Sequence, residues 1–141
     1  MLKEQLFTPA IWFELTIQGK SVGYFTEVTG LSAEVETMTY NEGGNNEFVH
    51  RLPTRVKYPN LVLKRGVTGS AILQQWFQKS HTQAERTGIT VSMLNEQGER
   101  IRTWNFVNAF PIKWTGPTFN ATQSALATEA IEIAHDGCKA V

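Results

Sequence analysis

The side chains of this sequence whose types could do chemistry are few: three histidines, one cysteine and some closely spaced carboxylates. His135 precedes Asp136, and a base beside an orienting acid is half of an acyl-transfer site. The other half is a nucleophile on a strained turn, and the sequence holds no Gly-x-Ser-x-Gly elbow. His50, His81 and His135 are scattered and lack the spacing of a metal-ligating pair such as His-Glu-x-x-His. Glu34 and Glu36 fall on one strand face and could mimic paired acids, although a solvated row has the same spacing. Cys138 has no partner for an internal disulfide and reads as an incidental thiol of a reducing compartment. Gly43, Gly44, Asn45 and Asn46 could form an anion nest, but no helix start follows them to add its dipole. There is no P-loop and no Gly-x-Gly-x-x-Gly. These residues define no active site, no metal centre and no cofactor pocket; the chain does not read as an enzyme.

The elements that would have to position those side chains are mostly strands. Phe13, Leu15 and Ile17 alternate with Glu14, Thr16 and Gln18, the period of a half-buried strand. Gly19 and Lys20 make a turn, Val22 to Val28 resumes an extended stretch, and Gly30 breaks it. Leu31 to Tyr40 reads as a long strand, and Leu61 to Leu63 as a short one. One helix is expected over about residues 69–82, capped by Thr68 or Ser70, with Ile72, Leu73, Trp76 and Phe77 on its apolar face. Ile89, Val91 and Met93 alternate again, Asn95 to Gly98 has the length of a hairpin turn, and Arg100 to Val107 returns. Phe110 to Trp114 is a separate extended piece, set on an edge or at a bulge by Pro111. Ala125 to Ala134 alternates loosely before Asp136-Gly137. The expectation is a mainly β, antiparallel sandwich or barrel with one packed helix.

Length and composition agree. A chain of 141 residues with 41% hydrophobic residues, four Trp and eight Phe fits one globular domain, 1–141. Thirteen cations balance thirteen acids, which gives no support for nucleic-acid binding. The N-terminal residues lack the apolar core of a signal peptide, and no run approaches a membrane span. Synthesis in the cytoplasm without a signal peptide is expected, with any release by lysis or through a machine. Several strands carry mixed faces, as Trp104 and Phe106 do beside Arg100 and Arg102. Such faces fit a subunit covered by neighbours.

Tyr40 to Gly66 is the most unusual stretch. Glycines and asparagines open it, Pro53 and Pro59 stiffen it, and it is expected to form a long inter-strand loop over about residues 41–59. Phe48, Leu52 and Tyr58 in such a loop call for a partner.

At this stretch the chain resembles a known family. Tyr-x-Glu-Gly-Gly-Asn-Asn-Glu-Phe-Val-His-Arg-Leu-Pro from Tyr40, then Lys-Tyr-Pro-Asn-Leu-x-Leu-Lys-Arg-Gly from Lys57, is similar to the signature of contractile phage (T4-like) tail tube proteins. The same pattern marks inner-tube proteins of extracellular contractile injection systems of the antifeeding prophage and Photorhabdus virulence cassette type. Phe25-x-Glu-Val-x-Gly-Leu31, Trp104-Asn-Phe-Val-Asn-Ala-Phe-Pro-Ile-Lys-Trp114 and Glu129-x-x-Glu-x-Ala-His-x-Gly137 resemble further motifs of the family. The match covers about residues 11–137.

The resemblance implies a structural role. Copies would form homo-hexameric rings stacked into a rigid tube within a sheath, ended by baseplate and terminal cap proteins. Protein cargo or DNA would occupy the lumen, the subunit itself would not insert in a membrane, and the particle would be released extracellularly by lysis. The long loop then becomes a ring-stacking interface. Its candidate residues are Glu42, Gly43, Gly44, Asn45, Asn46, Glu47, Phe48, His50, Arg51, Leu52, Arg55, Lys57, Tyr58, Lys64 and Arg65. Apolar members would bury against a neighbour while charges set register. Other readings are a phage DNA conduit, a type VI secretion tube, a ligand-binding sandwich with Trp12 or Trp114 as a platform, and an enzyme using His135 and Asp136. Only the tube readings predict stacked rings.

Overall fold

The computed structural model describes residues 11–40, 50–66, 70–83, 85–117 and 127–141. The chain opens with a hairpin of β1 (Trp12–Ile17) and β2 (Lys20–Phe25). Its turn residues are Gln18 and Gly19, with φ of 52° and 80°, rather than Gly19 and Lys20. Positive φ at both central positions matches the twist of the flanking strands, and Lys20 is thereby freed to pair with Ile17. The extended stretch from Val22 to Val28 is split by a change of partner. β2 pairs with β1, whereas β3 (Glu27–Thr29) pairs with β6 (Leu61–Gly66). Between them the Thr26 amide donates to the Lys64 carbonyl at 3.0 Å.

Beyond β6, the helix α1 (Ile72–Gln83) starts where Ser70 Oγ accepts from the Ile72 amide at 3.3 Å. Thr68, the other candidate cap, lies outside the described residues. The buried side of the helix is Leu73, Trp76, Phe77 and Ser80, at i, i+3, i+4 and i+7; Ile72 is instead 42% exposed. Strand β7 (Thr87–Leu94) and β8 (Arg100–Thr115) then form a hairpin. The turn is closed by Asn95, whose side-chain oxygen accepts from the amides of Gln97 and Glu99. β8 is one strand of sixteen residues, not two pieces. It pairs with β7 over its first part and with β9 (Thr128–Ala134) over its second. Asn108, at φ 51°, lies where the partner changes, and the register slips again between Pro111 and Lys113. Proline is tolerated there because a bulge needs no ladder bond from it. A last strand, β10 (Gly137–Ala140), pairs with β8.

One eight-stranded sheet results, in the order β2-β1-β7-β8-β9-β6-β3 with β10 beside β8. It is not closed into a barrel; bent at β8, it packs on itself as a sandwich with α1 against it. Leu15, Phe25, Leu61, Leu63, Leu73, Val91, Phe106, Ile131 and Ile133 meet between its layers at 0–1% exposure, so the strict alternation in β6 and β9 is explained by burial on one side. A separate two-stranded sheet stands outside it. β4 (Glu34–Tyr40) pairs with β5 (His50–Lys57). The expected loop over 41–59 is therefore strand over most of its second half. Pro53 does not prevent this, because a ribbon of two strands leaves each strand an outer edge where a missing amide is harmless. Residues 41–49, with the Gly-Gly-Asn-Asn string, lie outside the described residues.

Candidate assembly interface

The β4–β5 ribbon is an arm, and its local structure is set by one irregularity. Val35 pairs with Val56 and Thr37 with Pro53, so Thr54 and Arg55 together oppose Glu36. This is a β-bulge. The extra residue is held by Thr54 Oγ1, which donates to the Glu36 carbonyl at 3.0 Å. The Glu36 carboxylate accepts from Arg55 Nε at 2.6 Å and is bonded by Lys57 Nζ as well. Arg55 and Lys57 remain 73% and 55% exposed, so this cluster is worth at most about 1 kcal/mol to the fold.

The arm exposes apolar surface as well. Val35, Met38, Tyr40, Leu52 and Val56 are 42–53% exposed, and Tyr40 stacks on His50 at 5.2 Å between ring centroids. Two strands alone have no interior in which to bury such residues. Arg51 and Leu52 lie on the same strand, exposed. Glu42, Gly43, Gly44, Asn45, Asn46, Glu47 and Phe48 fall outside the described residues.

The other candidates lie in the body of the subunit. Tyr58, half-buried, packs near His135 at the arm's root, 5.7 Å between centroids. Lys64 is exposed on β6, facing Glu27 of β3 across the ladder. Arg65 is different in kind. It is 5% exposed, its Nη2 lies 3.1 Å from Glu129 Oε1, Glu129 is 7% exposed, and its guanidinium sits 5.1 Å from the centre of the Phe25 ring. Arg65 therefore stands inside the subunit, apart from the exposed charges of the arm. Its pairing with Glu129 is a feature that reading the sequence missed. The signal was present: Leu61, Leu63 and Arg65 share one parity of β6, and Glu129, Ile131 and Ile133 share one parity of β9. Gly23 belongs to the same arrangement, since it adopts φ 142° and a Cβ there would come within 2.2 Å of Arg65 Nη1.

The side chains that invited catalytic readings go separate ways. His135 Nε2 lies 3.2 Å from the Pro59 carbonyl oxygen, and its ring meets Phe106 edge-on at 4.7 Å. Asp136 instead accepts from Asn108 Nδ2 at 3.1 Å and lies 3.6 Å from Arg86. The two form no dyad. They join β9, β8 and the arm's root, an architectural use. Burial pushes the Cys138 thiol above its ordinary pKa, the reverse of nucleophile activation. Among the described residues, no three His, Cys, Asp or Glu side chains come together as a metal site, and no helix is long and apolar enough to cross a membrane.

Comparison with known proteins matches this geometry to assemblies. The family of T4-like virus tail tube protein gp19 matches residues 9–139. A chain of the sheath–tube complex of an extracellular contractile injection system, the PVC particle in its extended state, is 30% identical over 92% of this chain and 87% of its own, with a TM-score of 0.78. A chain in the terminating cap structure of the anti-feeding prophage tube is also 30% identical, over 92% and 87%, with a TM-score of 0.75. Hcp1 from Flavobacterium johnsoniae is 17% identical over 92% and 94% with a TM-score of 0.56, a likeness of fold alone. No curated protein matches the chain by sequence.

Proposed function

This chain belongs to the T4-like virus tail tube protein family, and we propose that it is the structural subunit of the rigid inner tube of an extracellular contractile injection particle. Copies close into hexameric rings, the rings stack around a lumen, a sheath surrounds the tube, and baseplate and cap proteins end it. The injection-system reading rests on the 30% matches to tube-containing chains of two such particles, each across nine-tenths of this chain. A contractile phage tail uses the same family for a DNA conduit, so the particle type is decided by what the neighbouring genes encode. Capsid and terminase genes beside this one would overturn the injection-system reading.

Within the subunit, the observation that carries assembly is the arm. A two-stranded ribbon with exposed apolar residues and a charged, bulged root is unsupported by its own core and is completed by another copy. Head-to-tail contact of this kind closes into rings when the rotation permits, and charges such as Arg55 and Lys57 hold register. Catalysis is not asked of any residue. Negative-stain electron microscopy of the purified protein is expected to show stacked rings; a monomer at all concentrations overturns the reading. Arg55→Glu, placed beside Glu36, is expected to leave a folded subunit that no longer forms tubes. Normal tubes from that variant would remove the arm's charges from the interface.

A further inference from the structure

We infer that His135 is a positioning residue that locks the backbone torsion left free where the arm joins the body, so that the arm leaves a single subunit in a preset direction. Two stretches of chain make the junction, residues 30–33 leading into β4 and residues 58–60 leading out of β5. Among the described residues no ladder joins β4 or β5 to the main sheet. The direction of the arm is therefore set at these two stretches.

The incoming stretch is held by close packing. Gly30 adopts φ 96°, and a Cβ there would collide with the Asn60 carbonyl oxygen, so the two stretches touch backbone to backbone. Leu31 then packs against the core.

The outgoing stretch is held by a side chain. Pro59 fixes its own φ, and the residue before a proline is confined to extended backbone, which takes up the freedom of Tyr58. What remains is ψ of Pro59, the rotation that turns its carbonyl. That carbonyl oxygen lies 3.2 Å from His135 Nε2. A carbonyl can only accept, so Nε2 carries a proton and donates it. Phe106 meets the imidazole edge-on at 4.7 Å and the Tyr58 ring lies 5.7 Å away, which leaves the ring little room to turn. Its Nδ1 is buried with no hydrogen-bond partner among the described residues, so Pro59 alone claims the ring's bonding. Asn60 Nδ2 donates to Glu132 Oε2 at 2.9 Å, a second tie from the same stretch to the end of β9. The corner that carries His135 is itself fixed: the Asp136 amide donates to the Val107 carbonyl at 2.9 Å, and the Asp136 carboxylate accepts from Asn108 at the bend of β8. A preset arm loses less freedom when a neighbour covers it. That consequence rests on the tube reading; the lock itself lies within one subunit.

Glutamine and asparagine separate the lock from side-chain volume. The amide nitrogen of Gln reaches about as far from the backbone as imidazole Nε2, and that of Asn about as far as Nδ1. Both lose the ring's packing on Phe106, but only His135→Gln keeps a donor within reach of Pro59. Spin labels at Thr39→Cys on the arm and Gln97→Cys on the body, with Cys138→Ser, read the direction of the arm in spin-diluted full-length protein. The parent is expected to give one narrow distance distribution. His135→Asn should broaden it by about twofold as the torsion is freed, while His135→Gln should leave it narrow and melt at the same temperature as His135→Asn. A broad distribution in the parent, or equal widths in the two variants, overturns the lock. Should His135→Asn fail to fold, the imidazole nitrogen shifts of the wild-type chain decide, in solution or by magic-angle spinning of tubes. A proton on Nε2 supports the lock, and a proton on Nδ1 alone overturns it. A narrow, His135-dependent distribution in a protein that forms no tubes keeps the lock and overturns the tube reading.

Discussion

The body of the subunit and its arm each hold a cluster of opposite charges, and the clusters do different work. In the body, Arg65 and Glu129 are 5% and 7% exposed, on facing positions of β6 and β9, with Phe25 alongside. Removed from water, each charge depends on the other, and the loss of one partner strands the survivor. On the arm, Arg55 and Lys57 share Glu36 in full view of solvent, where water and salt replace either partner at little cost. Burial alone makes the difference. The buried pair stabilises one subunit's own shape, whereas the exposed cluster adds little to it and is the part we propose acts between subunits.

The largest expected effect lies in the body. Arg65→Met should cost about 3–5 kcal/mol of subunit stability in chemical denaturation, and Arg65→Met with Glu129→Met should regain most of it. A single substitution that costs under about 1 kcal/mol would mean that solvent reaches the pair and that the contrast fails. Gly23→Ala comes next. Its φ of 142° is poor for any side chain, and the added Cβ would meet Arg65 Nη1 at 2.2 Å. A cost of about 1–3 kcal/mol is expected. Combining it with Arg65→Met should be less than additive, since the collision is then gone while the backbone strain remains. Full additivity would show that Gly23 and Arg65 are independent.

The body was the more legible region because burial writes alternation into sequence. Phe13, Leu15 and Ile17, or Ile131 and Ile133, declare their strands since one face meets a core. Where a strand changes partner, the pattern blurs. β8 reads as two pieces because Asn108 and the slip at Pro111 shift the parity, and β10 is too short at four residues to show any. The arm is harder still. His50 to Lys57 has no buried face, so no apolar period marks it, and Pro53 reads as a breaker although a ribbon edge accommodates it. Of the interface candidates, Leu52, Arg55 and Lys57 fall together on the arm, while Arg65 is near them in sequence only and lies on β6. Its parity with Leu61 and Leu63 points inward, and parity is the better guide.

The smallest effect on the subunit is expected from Glu36→Gln, and it makes the comparison sharpest. The substitution keeps size and hydrogen-bonding capacity while leaving Arg55 and Lys57 without their shared anion. Both cations are mostly hydrated already, so stability should change by less than about 1 kcal/mol. Rings and tubes should respond more than the monomer does, because two like charges at the bulge now repel and their orientation is no longer held. The expected reading is an unchanged melting curve for the monomer together with tubes that dissociate at lower salt than the parent's. Assembly unchanged across the salt series would confine the Glu36 cluster to shaping the bulge. A melting point lowered as far as that of Arg65→Met would show that the arm, too, is held by its charges.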